Sequence, residues 1–498
     1  MDSPTLFSQT PPVRLFFFAA IPGALSMLAS SLYYTLDGVF VGQFIGAMAF
    51  AAINLAMPFV IINFSLADLI GVGASVPISI ALGRGDKKEA NNIFTCACLL
   101  IHALGILIGA ALFAAAPLLI RFLGADGEFA AMAVEYLRVY ALCSPLTTAM
   151  FAMDNFLRIS GFIRGSLALN ILMSVLCAGF ELIFLGVFGW GVWAAALAGS
   201  LGMGVCVLIA YIPFLRGKSV LRFTRPRFSW KLVRHIAACG TPNFLNNVSA
   251  RITEILMNAI LVRLGGAMAV SVYGVLLFVD GLIQPLLYGI CDALQPAVGY
   301  NWGARKYSRV RAIERCCFIG AAVTTIALMF LVRSEPTFII HLFVPDANQE
   351  LLNTATAALG LFSFAYLTRW LGFATQSYMI AIGKPFQAAL ISVSTTLAFP
   401  CSSSSSSGPS ASPVSGSISQ PAPPSPQFSP SSSCEACVEN CSKKMPECNK
   451  SQLLFFVKNN AGIFLCDFTH LAQGAFLPGQ HSVWAFSTVD WRCSGRTL

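Results

Sequence analysis

Charge is what this chain has least of: Asp, Glu, Lys and Arg together make up 11% of its 498 residues, against about 25% in an average soluble domain. With 56% of the residues hydrophobic, too few polar side chains remain to cover a water-soluble globule, and a soluble enzyme is excluded. Also missing from the apolar part are the phosphate-cradling G-x-x-x-x-G-K-[ST], the zinc-binding H-E-x-x-H and the G-x-S-x-G nucleophile elbow. Nothing therefore points to an ATP motor or a hydrolase. No cofactor and no metal is expected, and if the protein pumps, an ion gradient is the energy source.

The charges that are present have a pattern. Lys and Arg number 31 against 22 Asp and Glu, a net charge of +9, which taken alone resembles a nucleic-acid binder. The apolar stretches decide otherwise. Spans of roughly 17 to 25 mostly apolar residues cross a bilayer, and eleven candidates begin near residues 15, 52, 92, 133, 166, 191, 237, 270, 313, 355 and 386. The first, running to Leu36 behind Met1-Asp2, is too long and too weakly basic in front for a cleaved signal peptide. Every even-numbered loop is basic: Arg84, Lys87 and Lys88; Arg158 and Arg164; Arg305, Lys306, Arg309 and Arg311; Lys384. The odd-numbered loops are uncharged, as at Gly186 to Val192, or acid-bearing, as with Asp126 and Glu128 or Asp346 and Glu350, beside the isolated bases Arg121, Arg263 and Arg333. The positive-inside rule then places the N-terminus in the cytoplasm of a multi-pass protein of the plasma membrane. The bilayer, not nucleic acid, is the partner that the net charge implies. Phe223, Phe228 and Trp230 among the bases of the sixth loop read as a juxtamembrane anchor.

That sixth loop carries Arg216, Lys218, Arg222, Arg225, Arg227, Lys231 and Arg234 with no acid, and it reads as a hinge between two copies of one unit. The single shift that carries Pro22 onto Pro242 also aligns Gly46-Ala47-Met48-Ala49 with Gly266-Ala267-Met268-Ala269, Gly83 with Gly303, Ile93 with Ile313 and Asp126 with Asp346; it grows slightly where Gly161 meets Gly383. Six spans per copy, an even number, give both halves one orientation and an axis along the membrane normal. Pro22 and Pro242 suggest a bend in the first helix of each half, the plainer alternative being a helix start.

The expected fold is an all-α polytopic membrane protein of two six-helix repeats, the second incomplete. Residues 1–14 form a cytoplasmic N-terminus, 15–215 the N-lobe, 216–236 the basic linker and 237–400 a C-lobe of about four and a half helices. Cys401 and six serines open a Ser/Pro-rich segment, 401–433, whose composition cannot bury a core. Residues 434–498 hold no span-length apolar run. There Cys434, Cys437, Cys441 and Cys448 give C-x2-C-x3-C-x6-C, four thiolates that can in principle hold zinc, although the usual pattern separates two short clips by a longer loop. Repeat and hydrophobicity are lost where low complexity begins, as expected of a tail that is not native, from a frameshift or retained intervening sequence. The nine cysteines up to Cys317 read as small core hydrophobes.

A charge inside a span costs about 2.5 to 3.5 kcal/mol even on the insertion scale, so each needs a reason. Asp37, Asp68, Asp154, Glu181, Glu254, Asp280 and Asp292 stand inside spans. A carboxyl group withdrawn into a helix bundle can take up and release a proton or hold a small cation, which is the basis of ion-coupled transport. Structural roles compete with this: Asp37 as a cap, Asp154 within reach of water, and Glu254 paired with Arg251 one turn away.

The motifs Leu36-Asp37-Gly38-Val39-Phe40-Val41-Gly42, Ile70-Gly71-Val72-Gly73-Ala74-Ser75 with Leu82-Gly83-Arg84-Gly85-Asp86, and Ala293-Leu294-Gln295-Pro296-Ala297-Val298-Gly299-Tyr300-Asn301-Trp302-Gly303-Ala304 resemble those of the multidrug and toxic compound extrusion (MATE) family, bacterial type, over residues 12 to 400. The resemblance implies a monomeric antiporter that exports cationic or amphipathic organic compounds, drugs included, in exchange for H+ or Na+. It implies an ion site of Asp37, Asn155 and Glu181, with Glu254 and Asp292 as candidates for a second. The sequence departs from the pattern with Glu181 where Asp is common and Cys177 where Asn is common, and with no acid in the tenth span, which leaves H+ and Na+ open. A lipid-linked precursor flippase on the same scaffold and a non-transporting remnant are the alternatives.

Overall fold

The structure, a computed structural model, describes residues 3–343 and 349–395. The expectations for 401–433 and 434–498, the cysteine pattern among them, lie outside the described residues. Every described element is helical: α1 Ser3–Gln9, α2 Pro12–Phe44, α3 Ala47–Arg84, α4 Lys87–Phe122, α5 Gly127–Ile159, α6 Ile163–Glu181 with a wide π turn Leu182–Val187, α7 Val192–Leu215, α8 Trp230–Asp292, α9 Gln295–Gly303, α10 Tyr307–Ser334, α11 Pro336–Phe343, α12 Gln349–Phe362, α13 Tyr366–Ala381 and α14 Pro385–Val393. Large apolar side chains such as Leu107, Leu118, Phe122, Ile319, Val323 and Phe330 face outward, while Asn63, Ser144, Asp154, Arg158 and Glu181 are buried. That inversion of the usual order is what a lipid solvent selects, since lipid matches apolar side chains and satisfies no polar ones.

Eight helices among the described residues are long and apolar enough to cross a membrane, against eleven expected spans, and the differences have physical causes. The fourth span is present at full length as α5, but Glu128, Glu135, Arg138, Asp154 and Arg158 make it polar. The eleventh is cut at 395 by the end of the described residues. The tenth is counted among the eight, as Leu351–Ala381, and carries a tightened turn, Ser363–Ala365, between α12 and α13. The seventh is the N-terminal part of α8, whose counted span begins at Ser271 and runs to Gly303.

At 1.5 Å per residue, α8 drawn straight would reach about 95 Å, twice a bilayer. Its contacts show that it doubles back. α1, which leads directly into α2, is tied to α9 because Asn301 Nδ2 donates to the Phe7 carbonyl at 3.0 Å, and the end of α3 meets α9 where Gly83 packs on the Tyr300 carbonyl. The hairpin α2–α3 therefore has both ends at one level, and its residues Gly23 and Leu69 share a depth. Gly289 lies on Gly23, and Gly240 lies on Leu69, so two points near opposite ends of α8 also share a depth. The midpoint of that stretch is Gly265-Gly266, where the sequence places the loop.

The seam between the lobes displays the repeat in space. A Cβ on Gly83 would collide with the Tyr300 carbonyl, and a Cβ on Gly303 would collide with the Ile80 carbonyl. The shift that carries Pro22 onto Pro242 carries Ile80 onto Tyr300 and Gly83 onto Gly303, so the two contacts exchange under a twofold axis running between α3 and α9. Neither position has room for any side chain. Pro22 and Pro242 lie well inside α2 and α8, which excludes the helix-start alternative.

Two further contacts were not expected. The N-terminal segment is not loose: Leu6 and Phe7 are buried, and Arg309 donates to the Phe7 carbonyl at 2.9 Å. The linker, read as a hinge, is held to α4 by the Arg222 amide on Asn91 at 2.9 Å, the Thr224 amide on Thr95 at 3.1 Å and the Arg227 amide on Asn92 at 2.7 Å. Within the N-lobe, α5 and α6 are joined by a buried network. Arg158 pairs with Asp154 at 2.6 Å and donates to Ser166 at 3.0 Å, Asn170 donates to Asp154 at 2.8 Å, and the Ser166 hydroxyl donates to Asp154.

Gly83→Val is expected to lower the melting temperature in detergent by several degrees, since overfilling a close contact costs about 1–3 kcal/mol. Gly42→Val, at a position with nothing within 4 Å, is the control, and equal melting of the two variants would mean that the seam is loose. Arg158→Met leaves Asp154 buried without its cation, at a cost of about 3–5 kcal/mol. Asp154→Asn combined with Arg158→Met should recover part of that loss; a double variant as unstable as Arg158→Met alone would place the stabilisation outside the pair.

Candidate functional site

The N-lobe builds a polar pocket from four helices. Tyr33, Tyr34 and Asp37 come from α2, Val60 and Phe64 from α3, Tyr136, Tyr140 and Thr147 from α5, and Gly199 and Ser200 from α7. Glu181 closes α6 beside it, at the point where the helix widens into its π turn. Such widened turns re-aim side chains and recur at functional sites. The side chain of Glu181 is fully buried, and its carboxyl group lies near enough to that of Asp37 for the two to interact. Among the described residues neither Glu181 oxygen has a hydrogen-bond donor. Two carboxylates have four acceptor oxygens between them and no hydrogen to share, so the contact is stable only with a proton or a cation between them.

The surroundings supply shape and hydroxyls. Asn63 is buried and donates to the Tyr140 hydroxyl at 3.0 Å and to Ser144 at 2.9 Å, which fixes the α3–α5 wall; Phe64 packs edge-on to Tyr140 and Phe151. Cys177, one turn before Glu181, donates to the Gly199 carbonyl at 3.3 Å. A thiol at this place packs α6 closely on α7, because Gly202 also presses on Cys177.

The expected site residues are distributed as follows. Asp37 and Glu181 are brought together. Asn155, half-buried on α5, uses its amide on the Phe151 carbonyl of its own helix at 3.1 Å. Glu254 pairs with Arg251 at 2.5 Å on a partly exposed face, the structural role weighed against an ion site. Asp292 accepts from Gln295 at 2.6 Å and from Ser377 at 3.1 Å, joining α8 to α13. Arg158 and Asp68, on the other lobe, are near enough to Asp292 for their charges to interact.

Two charged groups escaped the sequence reading. Arg369, on the tenth span, pairs with Asp280 at 2.6 Å and donates to Gln284 at 3.0 Å, and Glu314 is buried in α10. The cost argument applied to cations would have found the first. Among the described residues no group of three or more His, Cys, Asp or Glu could hold a metal ion.

Comparison with known proteins agrees with this architecture. The multidrug export protein MepA of Staphylococcus aureus is 24% identical over 399 residues, which cover 78% of this chain and 85% of MepA. A crystal structure of MATE in the straight conformation superposes with a TM-score of 0.75 at 24% identity, over 79% of this chain and 88% of that one. The outward-facing conformation of a multidrug resistance MATE family transporter of the MOP superfamily gives the same TM-score at 23% identity, with the same coverage. These likenesses are of fold. A family model described as MatE matches residues 22–183 and again 242–401, two copies that begin at the equivalent prolines Pro22 and Pro242. These matches take in well over half of the sequence, and the chain belongs to the MatE family, whose members are transporters and not enzymes.

Proposed function

We propose that this protein is a secondary active multidrug exporter of the plasma membrane, with its N-terminus in the cytoplasm, that moves cationic or amphipathic organic compounds outward in exchange for H+ or Na+. The observation that carries the reading is the pair of Asp37, half-buried in the pocket wall, and Glu181, fully buried with neither oxygen given a donor among the described residues. The names of relatives, MepA among them, support drug-like cargo. The alternating charge of the loops supports the orientation.

The geometry gives the exchange a mechanism. With a proton or cation between the carboxyl groups, α2 is drawn to α6; without it, two like charges in a pocket of low dielectric repel, and α2 is pushed away. The same helix reaches the other lobe, since the Ser31 hydroxyl donates to the Gly281 carbonyl of α8 at 2.7 Å. Pro22 removes one helical hydrogen bond in α2 and supplies a point of bending. Ion and cargo that favour different positions of α2 then compete without touching, and each drives the release of the other. Asn155 completes the proposed ion site if its amide leaves the Phe151 carbonyl. Asp292 and Glu254 are weaker candidates for a second site, because each already has a partner.

Proteoliposomes holding the purified chain should dissipate a proton or sodium gradient when an organic cation is added. Asp37→Asn keeps the size of the side chain and supplies a permanent donor to Glu181, and should bring coupled dissipation down to the level of protein-free vesicles. Coupling at the wild-type rate in this variant would remove Asp37 from the ion site.

A further inference from the structure

The internal repeat maps the N-lobe pocket onto a definite place in the C-lobe. Under the shift that carries Pro22 onto Pro242, Val60 corresponds to Asp280 and Phe64 to Gln284; under the slightly longer one that pairs Gly161 with Gly383, Thr147 corresponds to Arg369 and Phe151 to Phe373. Val60, Phe64 and Thr147 line the N-lobe pocket. Phe151 packs on α3 through Phe64, and Phe373 packs on α8 through Tyr288, one turn beyond the equivalent of Phe64. Where the N-lobe has an aliphatic, an aromatic and a hydroxyl residue, the C-lobe has an acid, an amide and a base.

The pair is not closed on itself. Arg369 Nη1 meets only Oδ1 of Asp280, and its Nη2 meets Gln284, so among the described residues two of its five N–H groups are hydrogen-bonded. Its side chain is 37% exposed against 12% for Asp280. A pair serving structure alone would be bidentate and enclosed, because a guanidinium and a carboxylate match as a fork. This one presents spare donors beside spare acceptor capacity. Around it stand Tyr366, whose hydroxyl donates to Asp280 at 3.5 Å, and Tyr288, bonded to Asn246 at 3.4 Å and to Gln284. Next to Asp280, Gly281 accepts the hydroxyl of Ser31 from the other lobe, so the cluster lies where the lobes meet.

We propose that Asp280, Gln284 and Arg369 form a substrate subsite that binds the carboxylate of an amphipathic zwitterion through Arg369, so that the cargo includes carboxylate-bearing amines as well as simple cations. The inference rests on the export reading above and deepens it. The carboxylate takes the free N–H groups of Arg369, while Asp280 keeps the guanidinium oriented, and no buried charge is left unpaired at any step.

The test compares two dyes that differ at one group: rhodamine 110, with a free carboxylate, and its methyl ester rhodamine 123. Export of both is measured in proteoliposomes of the full chain, and the acid-to-ester ratio is read. Arg369→Gln should lower that ratio about tenfold, the size of one charge-assisted hydrogen bond. Asp280→Asn with Arg369→Gln, which leaves neither charge unpaired and so protects folding, should lower it equally. A ratio unchanged from wild type in both variants, or a wild-type protein that exports the ester and not the acid, overturns the subsite alone. A wild-type protein that exports neither dye overturns the export reading, and the subsite with it.

Discussion

Hydrocarbon offers no hydrogen bonds, and from that one constraint the arrangement of this protein follows. Each backbone amide in a span must be satisfied by its own helix, so every described element is helical. Each polar side chain must find a partner inside the bundle, so Asn63 holds Tyr140 and Ser144 while Asp154 gathers Arg158, Ser166 and Asn170. Glu181 stands outside this pairing: it is fully buried, neither of its oxygens has a donor among the described residues, and it interacts with another acid, Asp37. On the export reading such a pair is the place of the coupling ion.

The twofold axis sharpens the contrast between the lobes. Gly83 and Gly303, matched by the repeat, make equivalent contacts, so the two halves share one geometry at the seam, yet equivalent positions received different chemistry. The N-lobe pocket carries negative charge with no resident cation. The C-lobe position carries an acid with a cation already in place in Arg369. On the proposed reading the ion is taken by the lobe whose facing acids lack a cation and the cargo by the lobe that holds Arg369, a division of labour along the axis of the duplication.

Much of this was legible in the sequence, because the bilayer writes plainly. Span-length apolar runs, basic alternate loops, one fixed shift between the halves and the cost of acids in spans led to the fold, to the repeat and to Asp37 with Glu181. What was missed had weaker local signals. The segment Leu6-Phe7 is too short for any periodicity, and only its contacts with Asn301 and Arg309 reveal a docked helix. The linker looked like a hinge because it is basic and lacks apolar runs; it is held by backbone amides, which composition does not encode. The place of Arg369 required its contacts with Asp280 and Gln284 on α8.

The contact between Ser31 and Gly281 gives the two lobes a shared moving part. Ser31 lies six residues before Asp37 on α2, and Gly281 follows Asp280 on α8. Six residues of helix are about 9 Å, short enough for a rigid rod to transmit a shift with little loss. If repulsion between Asp37 and Glu181 displaces α2, the first bond to strain on the far side is the one beside Asp280. A single hydroxyl-to-carbonyl bond is worth about 0.5–1.5 kcal/mol, too little to hold the lobes together and enough to bias which arrangement is preferred. Coupling of that size suits an exchanger, in which neither state can be so stable that the cycle stops.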